Sequence, residues 1–299
     1  MFWNNLSVAV NYFIEIAVEL TVLFIGITFL VGLIQEYVSD ETIKKAMGGQ
    51  HKVVGSILGA GFGALTPFCS CSTIPMLLGM LNAGVPFAAA MAFLFSSPLL
   101  NPVIISLLII LLGWKVASLY FTVTFVAAII ISLLLDGLGF ASQVKSAAVI
   151  RSSCDCQQTT DARSRIQRSA KFSFSLFRQL MPYLLIGAGI GAFIHGFVPT
   201  EIVSRFAGPE NPLAVPVAAI VGIPLYIRAE TMIPIGLALI EKGMSVGAVL
   251  GLVIGGAGAS IPELALLSAI FKKRLLSAFV VTILIIAVTA GYLANLLTL

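Results

Sequence analysis

From Val53 to Trp114 the chain holds no Asp, Glu, Lys or Arg, and that run limits its possible folds more than any other feature. Soluble domains carry roughly 25% charged residues, whereas this chain has 10%, with 59% hydrophobic residues and a mean hydropathy of +1.07. In lipid the backbone must bond to itself, and helices do so within one segment. The composition therefore predicts an all-α polytopic membrane protein with the lipid bilayer as its surroundings. The formal net charge of +4 comes from basic residues in loops, the positive flank of membrane spans. Nothing in it implies a nucleic-acid partner.

Inside the uncharged run lies a polar knot, Thr66-Pro67-Phe68-Cys69-Ser70-Cys71-Ser72-Thr73-Ile74-Pro75. A proline removes a backbone donor and clashes with the preceding turn, so two of them bracketing thiols and hydroxyls cannot form continuous lipid-facing helix. Irregular backbone at membrane depth survives only when buried in protein or lining a wet cavity. The knot is thus a candidate transport site.

Taken in order, residues 10–38 form a first apolar segment, expected to stay in the mature chain because no basic n-region precedes it. Glu15 and Glu19 lie one helical turn apart on it, as a cation relay or as interfacial residues. Gly55, Gly59 and Gly63 follow the small-xxx-small pattern of close helix packing. The arms on either side of the knot are about a dozen residues each, short of the roughly 20 of a full crossing, and predict a re-entrant hairpin with the cysteines at its tip. Residues 85–113 are long enough for one crossing, unwound at Ser96-Ser97-Pro98 and Asn101-Pro102. Residues 116–135 read as a clean span. Residues 136–171 are polar and rich in Lys and Arg.

Beyond this linker the pattern returns. Pro75, Leu78, Gly84 and Ala89 match Pro234, Leu237, Gly243 and Ala248 at an offset of 159, and Pro102 matches Pro262 at 160. The chain accordingly divides into a first transmembrane repeat (1–137), a cytoplasmic linker (138–170) and a second repeat (171–299). Loop charge favours inverted repeats: with the linker inside, Lys52 and Lys272-Lys273-Arg274 are inside and Lys115 and both termini outside. Two re-entrant hairpins and two broken helices then meet near the midplane.

In the second repeat the knot becomes residues 224–234, with Arg228 and Glu230, and the broken crossing becomes residues 255–263, with Glu263. Charge at membrane depth costs roughly 2.5 to 3.5 kcal/mol on insertion scales. These residues either pin the broken elements to one another or act on a substrate, Arg228 by lowering a thiol pKa or holding an anion, Glu230 or Glu263 by proton coupling. Cys69 and Cys71 are candidate ligands for a soft metal or trivalent arsenic, although a buried cysteine also serves as a small hydrophobe. Ser70, Ser72, Thr73, Ser96, Ser97 and Asn101 complete the candidate substrate site. Cys154 and Cys156 on the linker either capture such a soft ion on the cytoplasmic side or are incidental, and a lone His195 is more often a packed or interfacial residue than a ligand. No Walker loop, zincin motif or nucleophile elbow occurs in the sequence, which lends no support to ATP hydrolysis or enzymatic chemistry, and no cofactor is implied.

The knot, together with Phe95-Ser96-Ser97-Pro98-Leu99-Leu100-Asn101-Pro102, resembles the predicted permease family that includes the ArsP organoarsenical efflux proteins and the YraQ-like permeases. The resemblance spans nearly the whole chain. It implies a multi-pass permease of the bacterial inner membrane, and for some members export of trivalent arsenicals, with Cys69 and Cys71 at the motif positions. Three functions remain open: a secondary transporter exporting a thiophilic solute, a transporter of a sulfur-containing anion or small thiol held by Arg228, and a membrane thiol-redox enzyme cycling Cys69 and Cys71. The spacing of two disfavours the last, because it gives poor disulfide geometry. Oligomeric state is not indicated.

Overall fold

The computed structural model describes residues 52–66, 70–145, 178, 211, 213–225, 229–241 and 243–298. The first apolar segment with Glu15 and Glu19, the linker cysteines and His195 lie outside the described residues. Those described are helical, joined by short turns, with one isolated antiparallel bridge between Val144 and Phe271.

Among the described residues the first five α-helices are α1 (Lys52–Leu65), α2 (Ser70–Asn82), α3 (Phe87–Leu99), α4 (Pro102–Leu112) and α5 (Trp114–Gly137). Helix α1 gives way at Thr66, whose hydroxyl donates back to Phe62 O at 2.9 Å, because the residue before a proline is pushed out of the α region. Helix α2 carries Pro75 within it and is followed by a turn at Gly84, whose φ of 78° favours glycine. There Gly84 N–H donates to Leu81 O and Val85 N–H to Met80 O, the paired bonds of a Schellman turn.

The remaining helices are α6 (Ala214–Leu225), α7 (Ala229–Glu241), α8 (Val246–Gly258), α9 (Ile261–Ile270) and α10 (Lys273–Thr298). Both bounds of α7 follow those of α2 by 159 residues, and both bounds of α8 follow those of α3 by the same interval. The Schellman turn recurs at Gly243, with φ 95°, through Gly243 N–H to Ile240 O and Met244 N–H to Leu239 O. Packing recurs too. A β-carbon on Gly63 of α1 would stand 3.0 Å from Phe93 O and Ser97 N on α3; one on Gly222 of α6 would press on Leu252 O and stand 3.0 Å from Gly256 N on α8. These partners are again 159 residues apart, so the small residues serve the same close approach in both sets.

By length and composition α5 and α10 are each sufficient to cross a membrane, and the bent pairs α3–α4 and α8–α9 pass the same test together, with bends of 43° and 40°. On α5 the exposed residues Val126, Ile130 and Leu134 form an apolar stripe, while Tyr120, Thr124, Ala128 and Ser132 turn inward. An apolar face directed outward is stable only against lipid or another protein.

The two sets interlock. Helix α2 packs on α9, α7 on α4, and α3 on α8. At one end of the bundle Lys145 N–H donates to Ile270 O at 2.8 Å and Lys272 N–H to Gln143 O at 2.9 Å, holding the C-terminal end of α5 beside the N-terminal end of α10. Lys52 Nζ joins Asp136 Oδ2 there at 2.7 Å. Lys115 sits at the opposite end of α5.

One expectation needs correction. Ser96, Ser97 and Pro98 do not unwind: they remain in α3, and the break falls at Leu100 and Asn101. Pro98 removes one backbone donor, yet it and the two serines before it stay helical through Leu99. The Asn101-Pro102 step disfavours helix at residue 101, and the Asn101 side chain then starts α4 by accepting from Val103 N at 3.0 Å. In the second set the break is likewise confined to Ala259 and Ser260.

Candidate substrate site at the two helix breaks

Pro67, Phe68, Cys69 and residues 226–228, with Arg228, lie outside the described residues. Ser70, Cys71 and Ser72 form the first turn of α2, and Glu230 belongs to the first turn of α7. Cys69 and Cys71 therefore precede Arg228 and Glu230 by the same 159 residues that separate α2 from α7. Pro75 supplies no N–H to the Cys71 carbonyl four residues earlier, and Pro234 none to that of Glu230. Both helices thus lose the same helical bond at matching positions.

In the first turn of α2 Thr73 Oγ1 and Ser97 Oγ are hydrogen-bonded at 3.0 Å, either hydroxyl being able to donate. Both residues are fully buried, as is Ser96, whose hydroxyl donates to Phe93 O at 3.3 Å. Gly63 of α1 abuts Ser96 from the other arm. Helices α1 and α2 thus both meet α3 at its two serines, and Thr73, Ser96 and Ser97 lie side by side. At the matching place in the second set stand Met232 and Gly256, where a β-carbon on Gly256 would lie 3.5 Å from Met232 Cε. Helix α2 meets α3 through hydroxyls, and α7 meets α8 through apolar contact.

At the first break Leu100 N–H donates to Ser96 O at 2.7 Å, Val103 N–H is taken by Asn101 Oδ1, and Pro102 has no N–H. The carbonyls of Pro98 and Leu99 consequently lose their helical donors. Leu99 O accepts instead from the hydroxyl of the fully buried Tyr120 at 2.8 Å. Leaving a buried acceptor bare costs about 1 to 3 kcal/mol by mutational measures, so the contact stabilises the break. Sequence reasoning missed Tyr120 by treating residues 116–135 as a plain span. A hydroxyl-bearing aromatic in an apolar helix was the available signal, since a buried tyrosine normally finds a partner for its hydroxyl.

The second break is built otherwise. Ser260 caps α9 without a side-chain bond to the helix. Glu263, in the first turn of α9, is only 1% exposed, where the positive end of the helix dipole favours an anion. At the position equivalent to Tyr120 stands Phe279, its ring stacked on Phe95 of α3 at 5.3 Å. The two breaks meet: a β-carbon on Gly258, the last residue of α8, would lie 3.0 Å from Leu99 Cδ2 at the end of α3. Ser96, Ser97 and Asn101 thus lie on the α3–α4 element and Glu263 on the α8–α9 element that touches it. Among the described residues no group of three or more His, Cys, Asp or Glu could hold a metal ion.

This arrangement has known relatives. The ArsP_1 family, described as predicted permease, matches residues 5–296. The protein YcgR of Bacillus subtilis is 26% identical over 95% of each chain. A putative two-component membrane permease complex subunit of Streptococcus mutans is 23% identical, covering 90% of this chain and 89% of its own. The protein YraQ of Escherichia coli is 24% identical over 82% of this chain and 68% of its own length. No solved structure matches the chain.

Proposed function

The chain belongs to the ArsP_1 family of predicted permeases, and from that premise we propose that it is a multi-pass secondary transporter of the bacterial inner membrane that exports a thiophilic solute. A trivalent organoarsenical or a soft metal ion is the substrate class that two thiols select. The observation that carries the reading is the meeting of two broken helices at Leu99 and Gly258, with buried Ser96, Ser97, Asn101 and Glu263 on the elements that meet. Polar, interrupted helices at matching positions of two halves are how secondary transporters build a site at the midplane.

In this reading Cys69 and Cys71 engage the solute at the tip of the first hairpin, and Ser70, Ser72, Thr73, Ser96, Ser97 and Asn101 line its path. Arg228 balances charge, and Glu230 or Glu263 takes up the coupling proton. The repeats 1–137 and 171–299, joined by a cytoplasmic linker, are inverted with respect to one another. Two features support that orientation. The corresponding spans α5 and α10 are tied C-terminal end to N-terminal end, and Lys52, Lys145 and Lys272 gather at that end while Lys115 is at the other, as the positive-inside bias asks.

The test is accumulation of methylarsenite and arsenite in cells expressing the wild type or the Cys69→Ser/Cys71→Ser double variant. Lower accumulation with the wild type, lost in the variant, supports thiophilic export. Equal accumulation in expressing and empty cells, with membrane expression verified, removes it. A second reading is favoured by Arg228, a charge at the position matching Cys69: the solute is a sulfur-containing anion or small thiol. Loss of transport of such a solute in Arg228→Ala, with little effect of the cysteine substitutions, would select it.

A further inference from the structure

We propose that Tyr120 is a positioning residue whose hydroxyl fixes the first helix break, so that the substrate path opens and closes at the second, at Ala259 and Ser260, where α8 ends in the glycine-rich residues 255–258. The inference deepens the transporter reading and rests on it for the word substrate, but its structural half stands alone.

The two breaks match in position and differ in restraint. At the first, every device that limits motion is present. Pro98 and Pro102 each have φ locked by the ring, Asn101 caps the next helix through Val103 N–H, and Tyr120 holds the carbonyl of Leu99. At the second, Pro262 stands in the first turn of α9 as Pro102 does in that of α4, but Ala257 replaces Pro98, residues 255–260 are Gly-Gly-Ala-Gly-Ala-Ser, Ser260 makes no side-chain cap bond, and Phe279 has no hydroxyl to offer. Glycine leaves the widest range of backbone conformations open. Leu99 carries both restraint and contact: its carbonyl is held by Tyr120, and its side chain is what Gly258 rests against. A fixed Leu99 is a fixed abutment against which α8 and α9 move, carrying Glu263 with them. Broken elements that absorb backbone change at a few small residues are the usual hinges of such transitions.

The experiment is hydrogen–deuterium exchange of the full chain in lipid nanodiscs, with no solute added, read by mass spectrometry in peptides spanning each break. In the wild type the amides of residues 255–260 exchange faster than those of Leu100 and Val103. Tyr120→Phe, which reproduces the residue standing at position 279, raises exchange at Leu100 and Val103 about tenfold, the effect of losing one hydrogen bond, and leaves the second break unchanged. Asn101→Ala, which removes the cap instead, does the same. Equal exchange at both breaks in the wild type, or unchanged exchange at the first in both variants, overturns the proposal. Methylarsenite uptake into everted vesicles separates the two readings: Tyr120→Phe lowers the maximal rate without shifting half-saturation. Absence of any uptake by the wild type counts against the arsenical substrate, while the exchange comparison still decides the role of Tyr120.

Discussion

Leu99 and Gly258 close α3 and α8 at positions 159 residues apart, and they touch: a β-carbon on Gly258 would lie 3.0 Å from Leu99 Cδ2 and 3.0 Å from Ile283 Cδ1. Crowding at that point has nowhere to go, because Leu99 and Ile283 are both fully buried. Gly258→Ala is therefore expected to destabilise the fold by about 1 to 3 kcal/mol, the range for overpacked cores. Adding Leu99→Ala should return part of that loss, so that the double variant melts above the sum of the two single effects. Thermal unfolding of the four proteins in one detergent reads the cycle, and strictly additive losses would show that the residues do not press on each other.

The Thr73–Ser97 contact gives a second, smaller expectation. In a membrane the net gain from a side-chain hydrogen bond averages about 0.6 kcal/mol, because the separated helices also find partners. Ser97→Ala should cost about that much stability, far less than Gly258→Ala. Ser97→Val, by contrast, adds bulk where Gly63 brings α1 against α3, and should cost several times more. Comparable melting temperatures for the two Ser97 variants would mean that the hydroxyl, not the space, governs this site.

Much of this organisation was legible in the sequence for identifiable reasons. Prolines and glycines act locally, so Pro67, Pro102, Gly84 and Gly243 mark a helix end, a break and two turns from the sequence alone. The short arms around the knot, the two interrupted crossings and the 159-residue interval follow from those marks. What the sequence did not give is pairing between distant segments. Tyr120 and Leu99 are partners because α5 packs on α3, and nothing near residue 120 announces it. Serine and proline are common in loops, so Ser96-Ser97-Pro98 reads as a break; inside a buried helix the hydroxyls bond to Phe93 O and Thr73 instead, and the helix runs on to Leu99. The interlocking of α2 with α9 and α7 with α4 is likewise a property of the folded pair.

Glu263 offers a test of coupling separate from binding. It is buried on the α8–α9 element, and the transporter reading gives it or Glu230 the coupling proton. Glu263→Gln keeps the shape and hydrogen-bonding capacity while removing the titrating group. If Glu263 is the carrier, the variant should lose export driven by a pH gradient, by tenfold or more, yet retain exchange of labelled for unlabelled methylarsenite at equal pH. Unaltered gradient-driven export in Glu263→Gln would transfer the role to Glu230, whose glutamine variant is the matching control.

Orientation gives the last expectation. The bonds from Lys145 to Ile270 and from Lys272 to Gln143 hold the end of α5 and the start of α10 together, and the Lys52–Asp136 pair adds a third tie at the same end. The ion pair itself is worth little, because Lys52 is 71% exposed and surface pairs contribute about 0 to 1 kcal/mol; Lys52→Ala should shift melting by less than Lys145→Ala, whose ammonium reaches Ser268 O from a half-buried position. The geometry matters more than the energy. Single cysteines introduced at Lys115, Ser142 and Lys273, in a chain whose native cysteines are replaced by serine, should label from opposite sides of the membrane, Lys115 from one and Ser142 with Lys273 from the other. Because α5 and α10 correspond, that pattern would mean that matching spans run in opposite directions, with the basic end facing the cytoplasm. Labelling of Lys115 and Lys273 from the same side would instead make the repeats parallel, and the shared midplane site of two inverted hairpins would fall with it.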